Sequence, residues 1–176
     1  MLQLAVFDMN LPEPTVNKPS DKNEPQLRDL FLFTAGGRTF AVSSAEVDGT
    51  AEVKKPTPLP QAPASILGVV YARGRMLTLL DPAAVTAGEP LSWPSLIPAI
   101  VSLRGDEQLA LAAESLGEAI TVSSSDIITA DSEPEPESSQ AVSGVLRHGG
   151  QEITILDAGE LFKVAVQRKD RRRRRF

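Results

Sequence analysis

The chain contains no cysteine, and among its 176 residues there are only one histidine, one tryptophan and one tyrosine. Without cysteine there are no disulfides and no thiolate metal ligands. Aromatic residues make up 5% of the chain and hydrophobic residues 41%, so any core must be mainly aliphatic. The sequence also lacks a secretory signal and an apolar run near the roughly 20 residues that span a bilayer. We therefore expect a soluble, cytoplasmic protein.

Signatures of common catalytic sites are absent as well. There is no G-x-S-x-G, GxGxxG, Walker or HExxH pattern. The single histidine, His148, lies in the turn LRHGG, a place more typical of a solvated side chain than of a general base. Asp81 and Asp157 could form an acid/base pair, but each precedes a helix-like segment, which favours an N-cap role. We predict that the protein is not an enzyme and has no metal, cofactor or small-molecule substrate.

The most informative stretch is a β-hairpin pattern that occurs twice. Residues 66–81 read ILGVVYARGRMLTLLD, two apolar runs joined by a tight Arg-Gly reversal. Shifting the numbering by 76 superimposes them on residues 142–157, VSGVLRHGGQEITILD. The two copies have the same residue at six equivalent positions. These pairs are Gly68 and Gly144, Val69 and Val145, Gly74 and Gly150, Thr78 and Thr154, Leu80 and Leu156, and Asp81 and Asp157. The two copies differ most at the turn, where Arg73-Gly74 corresponds to Gly149-Gly150.

Weaker repetition surrounds these hairpins. The segments LFLFTAGGRTFAVS and LIPAIVSLRGDEQLALAA both predict hairpins, offset by 68 or 69 residues, and EAITV matches TAEVKK as a short strand. The sequence therefore predicts two modules of about five short strands each, as in small barrels or sandwiches. We place subdomain 1 at about 30–86 and subdomain 2 at about 95–166, with a turn-rich connection at 87–95.

Charge divides the chain into an acidic body and a basic end. Residues 168–176 carry a local charge of +6, which leaves −11 on residues 1–167. Residues 1–29 are rich in proline and polar residues and are predicted to be a disordered arm, and the insert DSEPEPES an exposed loop. The basic tail, residues 167–176, is predicted to act electrostatically through its arginines. These are Arg171, Arg172, Arg173, Arg174 and Arg175.

The blocks described above resemble the CheW-like family of chemotaxis coupling proteins. The resemblance rests on PLPQAPASILGVVYARGRMLTLLDPAAV, with FLFTAGGRTFAVSSAEV before it and AVSGVLRHGGQEITILDAGELF after it. It covers about residues 30–166. It implies an all-β fold of two five-stranded SH3-like barrels packed side by side, with short helical turns.

The same resemblance implies an adaptor that couples a chemoreceptor to a chemotaxis-type histidine kinase. The expected partners are the regulatory domain of the kinase and the cytoplasmic tip of the receptor, with recruitment to receptor arrays at the inner membrane. Family positions that line the partner groove correspond to Gly68, Val69, Arg73 and Gly74. Tyr71 stands where family members usually have Asn, and we include it in the predicted partner site.

One alternative function remains at this stage. The tail could recruit the protein to DNA or to an anionic membrane, with the barrels as a passive scaffold. Removing residues 168–176 would abolish localisation and salt-sensitive binding under this alternative, whereas adaptor binding would survive.

Overall fold

A computed structural model of the chain describes residues 26–129 and 140–173, with side chains through residue 167. Strands dominate these residues, as the aliphatic alternation predicts, and the expected all-β class is confirmed. None of the described helices is long and apolar enough to cross a membrane. The elements are β1 (Leu27–Ala35), β2 (Arg38–Ser43), β3 (Val47–Lys54), β4 (Ile66–Ala72), β5 (Arg75–Leu80), α1 (Pro82–Ala87), β6 (Leu96–Leu103), β7 (Leu109–Ala113), β8 (Ser115–Ser123), β9 (Ile127–Ile128), β10 (Val142–His148), β11 (Gln151–Leu156) and α2 (Ala158–Arg173).

The doubled hairpin is present in both copies with the same construction. β4 pairs with β5, and β10 pairs with β11, each antiparallel across a two-residue turn. A β-bulge interrupts both at the same repeat position, between Ile66 and Gly68 in the first and between Val142 and Gly144 in the second. A bulge bends its strand and increases its twist. The shared bulge therefore gives both hairpins the same curvature.

The strands form two sheets, and neither sheet is built from one continuous half of the chain. One sheet has the order β8-β1-β2-β11-β10-β9 and the other β3-β6-β7-β5-β4. The parallel pairs β2–β11 and β5–β7 join a hairpin of one repeat to a hairpin of the other. The two sheets therefore do not follow the predicted subdomains at about 30–86 and 95–166, because the repeats exchange their first hairpins. One sheet also has a sixth strand, the two-residue β9.

Three apolar clusters hold the fold together. One lies inside each curved sheet, around Leu77 and Leu79 in the sheet of β3–β7 and around Leu146 and Ile153 in the other. The third lies between the two sheets and includes Phe33, whose ring stacks on that of Phe40 at 5.7 Å. Burying each such side chain contributes about 1.5–3 kcal/mol, so the contact between the sheets is a core in its own right.

Both aspartates of the repeat cap helices, as predicted. Asp81 Oδ1 accepts hydrogen bonds from the backbone N–H groups of Ala83 (2.9 Å) and Ala84 (3.1 Å) at the start of α1. Asp157 Oδ1 accepts from Gly159 (2.9 Å) and Glu160 (3.3 Å) at the start of α2. Carboxylates in this position satisfy N–H groups that the helix leaves unpaired.

The ends of the ordered elements differ from the sequence-based boundaries. β1 begins at Leu27, three residues before the predicted start, because Leu27, Arg28 and Asp29 pair with residues 121–123 of β8. α2 extends through Arg173, beyond the short helix predicted to end near Val166. The rest of the predicted arm, residues 1–25, and the acidic insert lie outside the described residues.

Candidate partner-binding site

The outer face of the first hairpin carries two large, exposed apolar side chains. Tyr71 on β4 and Met76 on β5 lie directly opposite each other and are 71% and 54% exposed. Opposite residues in an antiparallel pair have their side chains on the same face. The two side chains therefore form one continuous apolar surface close to the hairpin turn.

This surface continues into the contact between the sheets. Along β5, Thr78 and Leu80 follow Met76 on the same face, and Thr78 is paired with Val69. Leu80 is fully buried in the cluster between the sheets and is paired with Leu111 of that cluster. Tyr71 and Met76 thus lie where the apolar face that joins the two sheets emerges into solvent.

The second hairpin shows what the fold requires at these positions. Val145 and Thr154 repeat the pair Val69 and Thr78. At the next pair, however, Arg147 and Glu152 replace Tyr71 and Met76. Because the second hairpin folds in the same register with a charged pair, the fold does not require an apolar pair in the first.

The turn of the first hairpin holds Arg73 in a conformation that favours glycine. Arg73 and Gly74 have φ angles of 53° and 77°, both positive as in a type I′ turn. Gly149, the counterpart of Arg73, has a φ of 58°. A side chain in this left-handed region costs about 1 kcal/mol relative to glycine. Arginine therefore occupies the turn at some cost to stability.

The Arg73 side chain reaches across to β3, at the opposite edge of its sheet. Its Nε lies 3.8 Å from Asp48 Oδ2, and the same oxygen accepts a 2.5 Å hydrogen bond from Arg75 Nη2. The Arg73 guanidinium lies directly over Gly49, in the space that a Cβ atom there would occupy. Two guanidinium groups share one carboxylate, so this end of the sheet keeps a net positive charge beside the Tyr71–Met76 surface.

The other predicted site residues occupy different environments. Gly68 is buried, and a Cβ there would lie 2.2 Å from the Thr57 carbonyl oxygen, so this glycine lets residues 57–58 pack against β4. Val69 is half-buried and exchanges two 2.9 Å backbone hydrogen bonds with Thr57. Gly74 is exposed at the turn, with open space around it. The structure thus gives Gly68 a packing role.

Sequence reasoning missed three residues of this site. Met76 could have been found, since a two-residue turn places it opposite Tyr71. Asp48 and Arg75 carry no local signal, because the contact joins β3 to a turn some 25 residues later and depends on the curvature of the sheet.

A separate cavity of about 580 Å³ lies in the other sheet, between the start of β1 and the end of β11. Glu46 and Asp157 both line it. Burial raises the pKa of the Glu46 carboxyl, and the nearby charge of Asp157 raises it further.

Within residues 26–129 and 140–167, no three or more His, Asp or Glu side chains are grouped to hold a metal ion. The side chains of the basic tail lie outside the described residues, so its electrostatic role stays a prediction.

Comparisons with known proteins agree on the extent of the domain. The family model for the CheW-like domain matches residues 29–166. A chemotaxis protein CheW of Rhizobium meliloti (strain 1021) is 32% identical over 139 residues, which cover 77% of this chain and 87% of that protein. The crystal structure of the scaffolding protein TtCheW from Thermoanaerobacter tengcongensis gives a TM-score of 0.62 at 18% identity, over 80% of this chain and 91% of that one. At that identity the structural match concerns the fold alone.

Proposed function

The chain belongs to the CheW-like domain family, and from this premise we propose that it is a non-enzymatic signalling adaptor. In this role it couples a chemoreceptor-type protein to a chemotaxis-type histidine kinase by binding both. The relative named as a chemotaxis protein supports the pathway, and the absence of a recognisable catalytic signature in the sequence is consistent with an adaptor. Its place of action would be the cytoplasm, at receptor arrays on the inner membrane.

The binding surface is the hairpin patch, which we define as Val69, Tyr71, Arg73, Gly74 and Met76. Interfaces draw most of their affinity from a few anchors, among which aromatic and arginine side chains are enriched. Burying an exposed side chain of this size contributes about 1.5–3 kcal/mol. The positive end formed by Arg73 and Arg75 favours a partner that carries a carboxylate next to its apolar contact residues.

The observation that carries this proposal is the difference between the two hairpins. The same backbone supports a charged pair at Arg147 and Glu152 and an exposed apolar pair at Tyr71 and Met76. Exposed apolar groups that a fold does not need are typical of interaction sites.

The test transplants the charged pair of the second hairpin into the first. In Tyr71→Arg/Met76→Glu, the new side chains form a pair that this hairpin geometry already accommodates, so the thermal midpoint should change little. Affinity for the partner that uses the patch should fall at least about tenfold, as expected from losing more than about 1.4 kcal/mol. Isothermal titration calorimetry with the kinase regulatory domain and with a receptor cytoplasmic fragment would measure both affinities.

The matched control is Arg147→Glu/Glu152→Arg, which reverses the charged pair in the second hairpin and should leave both affinities unchanged. A third variant, Arg73→Gly, copies the turn of the second hairpin and should weaken binding without a loss of stability. If the transplanted variant binds both partners as the wild type does, the hairpin patch is not the partner site. If the wild type binds neither partner, the adaptor role itself is refuted.

A further inference from the structure

Met76 carries the one sulfur atom in residues 26–129 and 140–173 of the chain. The sequence has no cysteine, and its other two methionines, Met1 and Met9, lie outside the described residues. The Met76 side chain is 54% exposed. Oxidation of methionine to the sulfoxide is a common modification, and methionine sulfoxide reductases reverse it. The thioether of Met76 is therefore accessible to this chemistry.

The direction in which Met76 points lets the fold accept this change. Leu77, the next residue of β5, is fully buried in the core of its sheet, whereas Met76 points to the opposite face. Oxidation at a core position would place a polar group among apolar ones without a hydrogen bond. At position 76 the new polar group stays in water.

The second hairpin supports the same conclusion independently. Glu152 occupies the position equivalent to Met76 and is exposed. Its hairpin forms in the same register and with the same bulge. This geometry thus accommodates a charged side chain at the position, and a neutral sulfoxide asks less of the fold than a carboxylate.

Oxidation does change the apolar pair of the hairpin patch. Tyr71 lies directly opposite Met76, and side chains at such positions have Cβ atoms about 4.5–5.5 Å apart. A thioether is apolar and polarizable, and it suits contact with an aromatic ring or with apolar groups of a partner. A sulfoxide carries a polar S–O group that a partner would have to bury without a hydrogen bond.

We propose that Met76 is a site of reversible oxidation by peroxide, and that its sulfoxide weakens binding at the hairpin patch. A lone pair of the sulfur attacks one oxygen of hydrogen peroxide, and the S–O bond forms as the O–O bond breaks. The departing hydroxide takes the proton of the transferred oxygen and leaves as water. The sulfur loses two electrons and the peroxide gains them. In the reverse reaction two thiols reduce the sulfoxide, which gives the thioether, a disulfide and water.

The effect on binding rests on the proposed function of the hairpin patch, whereas the oxidation itself does not. A bound partner would cover the sulfur of Met76. Binding should therefore slow the oxidation, just as oxidation weakens the binding.

The experiment treats the full chain with hydrogen peroxide and follows each methionine by peptide mass spectrometry. Met76 should gain one oxygen atom while the far-UV circular dichroism and the thermal midpoint stay those of the untreated protein. Isothermal titration calorimetry with the kinase regulatory domain and with a receptor cytoplasmic fragment then measures binding. Affinity for the partner that uses the patch should fall about tenfold or more. Methionine sulfoxide reductase with dithiothreitol should restore it, and saturating partner should slow the oxidation of Met76.

The control is Met76→Leu, which keeps an apolar side chain of similar volume without a sulfur atom. Its affinity is compared before and after the same treatment and should not change with the treatment. Since this variant retains Met1 and Met9, it separates the effect of their oxidation from that of Met76.

Three results would overturn the proposal although the untreated protein binds its partner. Met76 could stay unmodified where free N-acetylmethionine is oxidised, the oxidised protein could bind as tightly as the untreated one, or Met76→Leu could lose affinity to the same extent. A thermal midpoint that falls on oxidation of Met76 would also overturn it, because the loss of binding would then reflect the fold. If the untreated protein binds neither partner, the adaptor role fails, and the effect of oxidation on binding fails with it.

Discussion

Replacing Asp81 with asparagine should destabilise the protein far more than the same change at its counterpart, Asp157. Asp81 is fully buried, and its carboxylate accepts four hydrogen bonds. Oδ1 caps α1, while Oδ2 accepts from the Leu91 backbone N–H at 2.7 Å and from Trp93 Nε1 at 3.1 Å. Asparagine can cap the helix through its single oxygen, but its NH₂ group would then face two donors. Rotating the amide by 180° only moves the conflict to the helix N-terminus.

The expected magnitude follows from the number of donors left without an acceptor. Each buried donor that loses its partner costs about 1–3 kcal/mol. Leu91 and Trp93 are half-buried, so some of this cost is recovered by water, and we expect Asp81→Asn to lose about 2–4 kcal/mol. Among the described contacts, Asp157 accepts side-chain hydrogen bonds only from the N-terminus of α2. Since asparagine caps about as well as aspartate, Asp157→Asn should lose less than about 1 kcal/mol.

Urea unfolding followed by far-UV circular dichroism would give both free energies of unfolding, provided that the m-values agree. Trp93 is the sole tryptophan, so its fluorescence reports separately on the indole that Asp81 binds. In a Trp93→Phe background one of the two donors is gone, and the cost of Asp81→Asn should shrink by about 1 kcal/mol or more. Equal losses for the two asparagine variants, or a loss below about 0.5 kcal/mol for Asp81→Asn, would refute the reasoning.

Two further predictions concern packing and pH. Gly68→Ala should destabilise the protein by more than about 2 kcal/mol, because its Cβ would meet the Thr57 carbonyl and its φ is 139°. Thermal denaturation measures this, with Gly74→Ala, which has open space but a φ of 77°, as the milder comparison. The folded state raises the Glu46 pKa, so it binds this proton more tightly than the unfolded chain does, and stability should fall as pH rises from the unfolded pKa near 4.5 through the folded value. Glu46→Gln should therefore raise the thermal midpoint slightly at neutral pH and not at low pH, and an equal effect at both would contradict the assignment.

Local sequence patterns were enough to predict the hairpins and the helix caps. Alternating apolar runs around a two-residue turn indicate β4–β5 and β10–β11, and an aspartate before a helix-like segment indicates a cap. The internal repeat predicted two modules, and the family resemblance added the SH3-like barrel fold and pointed to Arg73. These features depend on residues that lie close together in the sequence or in a recognisable order.

What could not be predicted depends on contacts between distant parts of the chain. Periodicity shows that β1 and β6 are strands but does not show which sheet each joins, so the exchange of hairpins was missed. For the same reason the second oxygen of Asp81 was not matched with Trp93, and Arg73 was not matched with Asp48. Each of these pairings is fixed only when segments that are distant in the sequence come together in the fold.

The exchange of hairpins between the two sheets also bears on the origin of the chain. A protein with one repeat could not complete either sheet alone, since its first hairpin needs the second hairpin of another repeat as its neighbour. A one-repeat ancestor would therefore have been a symmetric homodimer, and gene duplication with fusion at residues 88–95 would have turned a subunit interface into the core around Phe33. In such a homodimer a single sequence would encode both hairpins, so the two could not differ. Two copies in one chain allow the difference that is seen between Tyr71 with Met76 and Arg147 with Glu152.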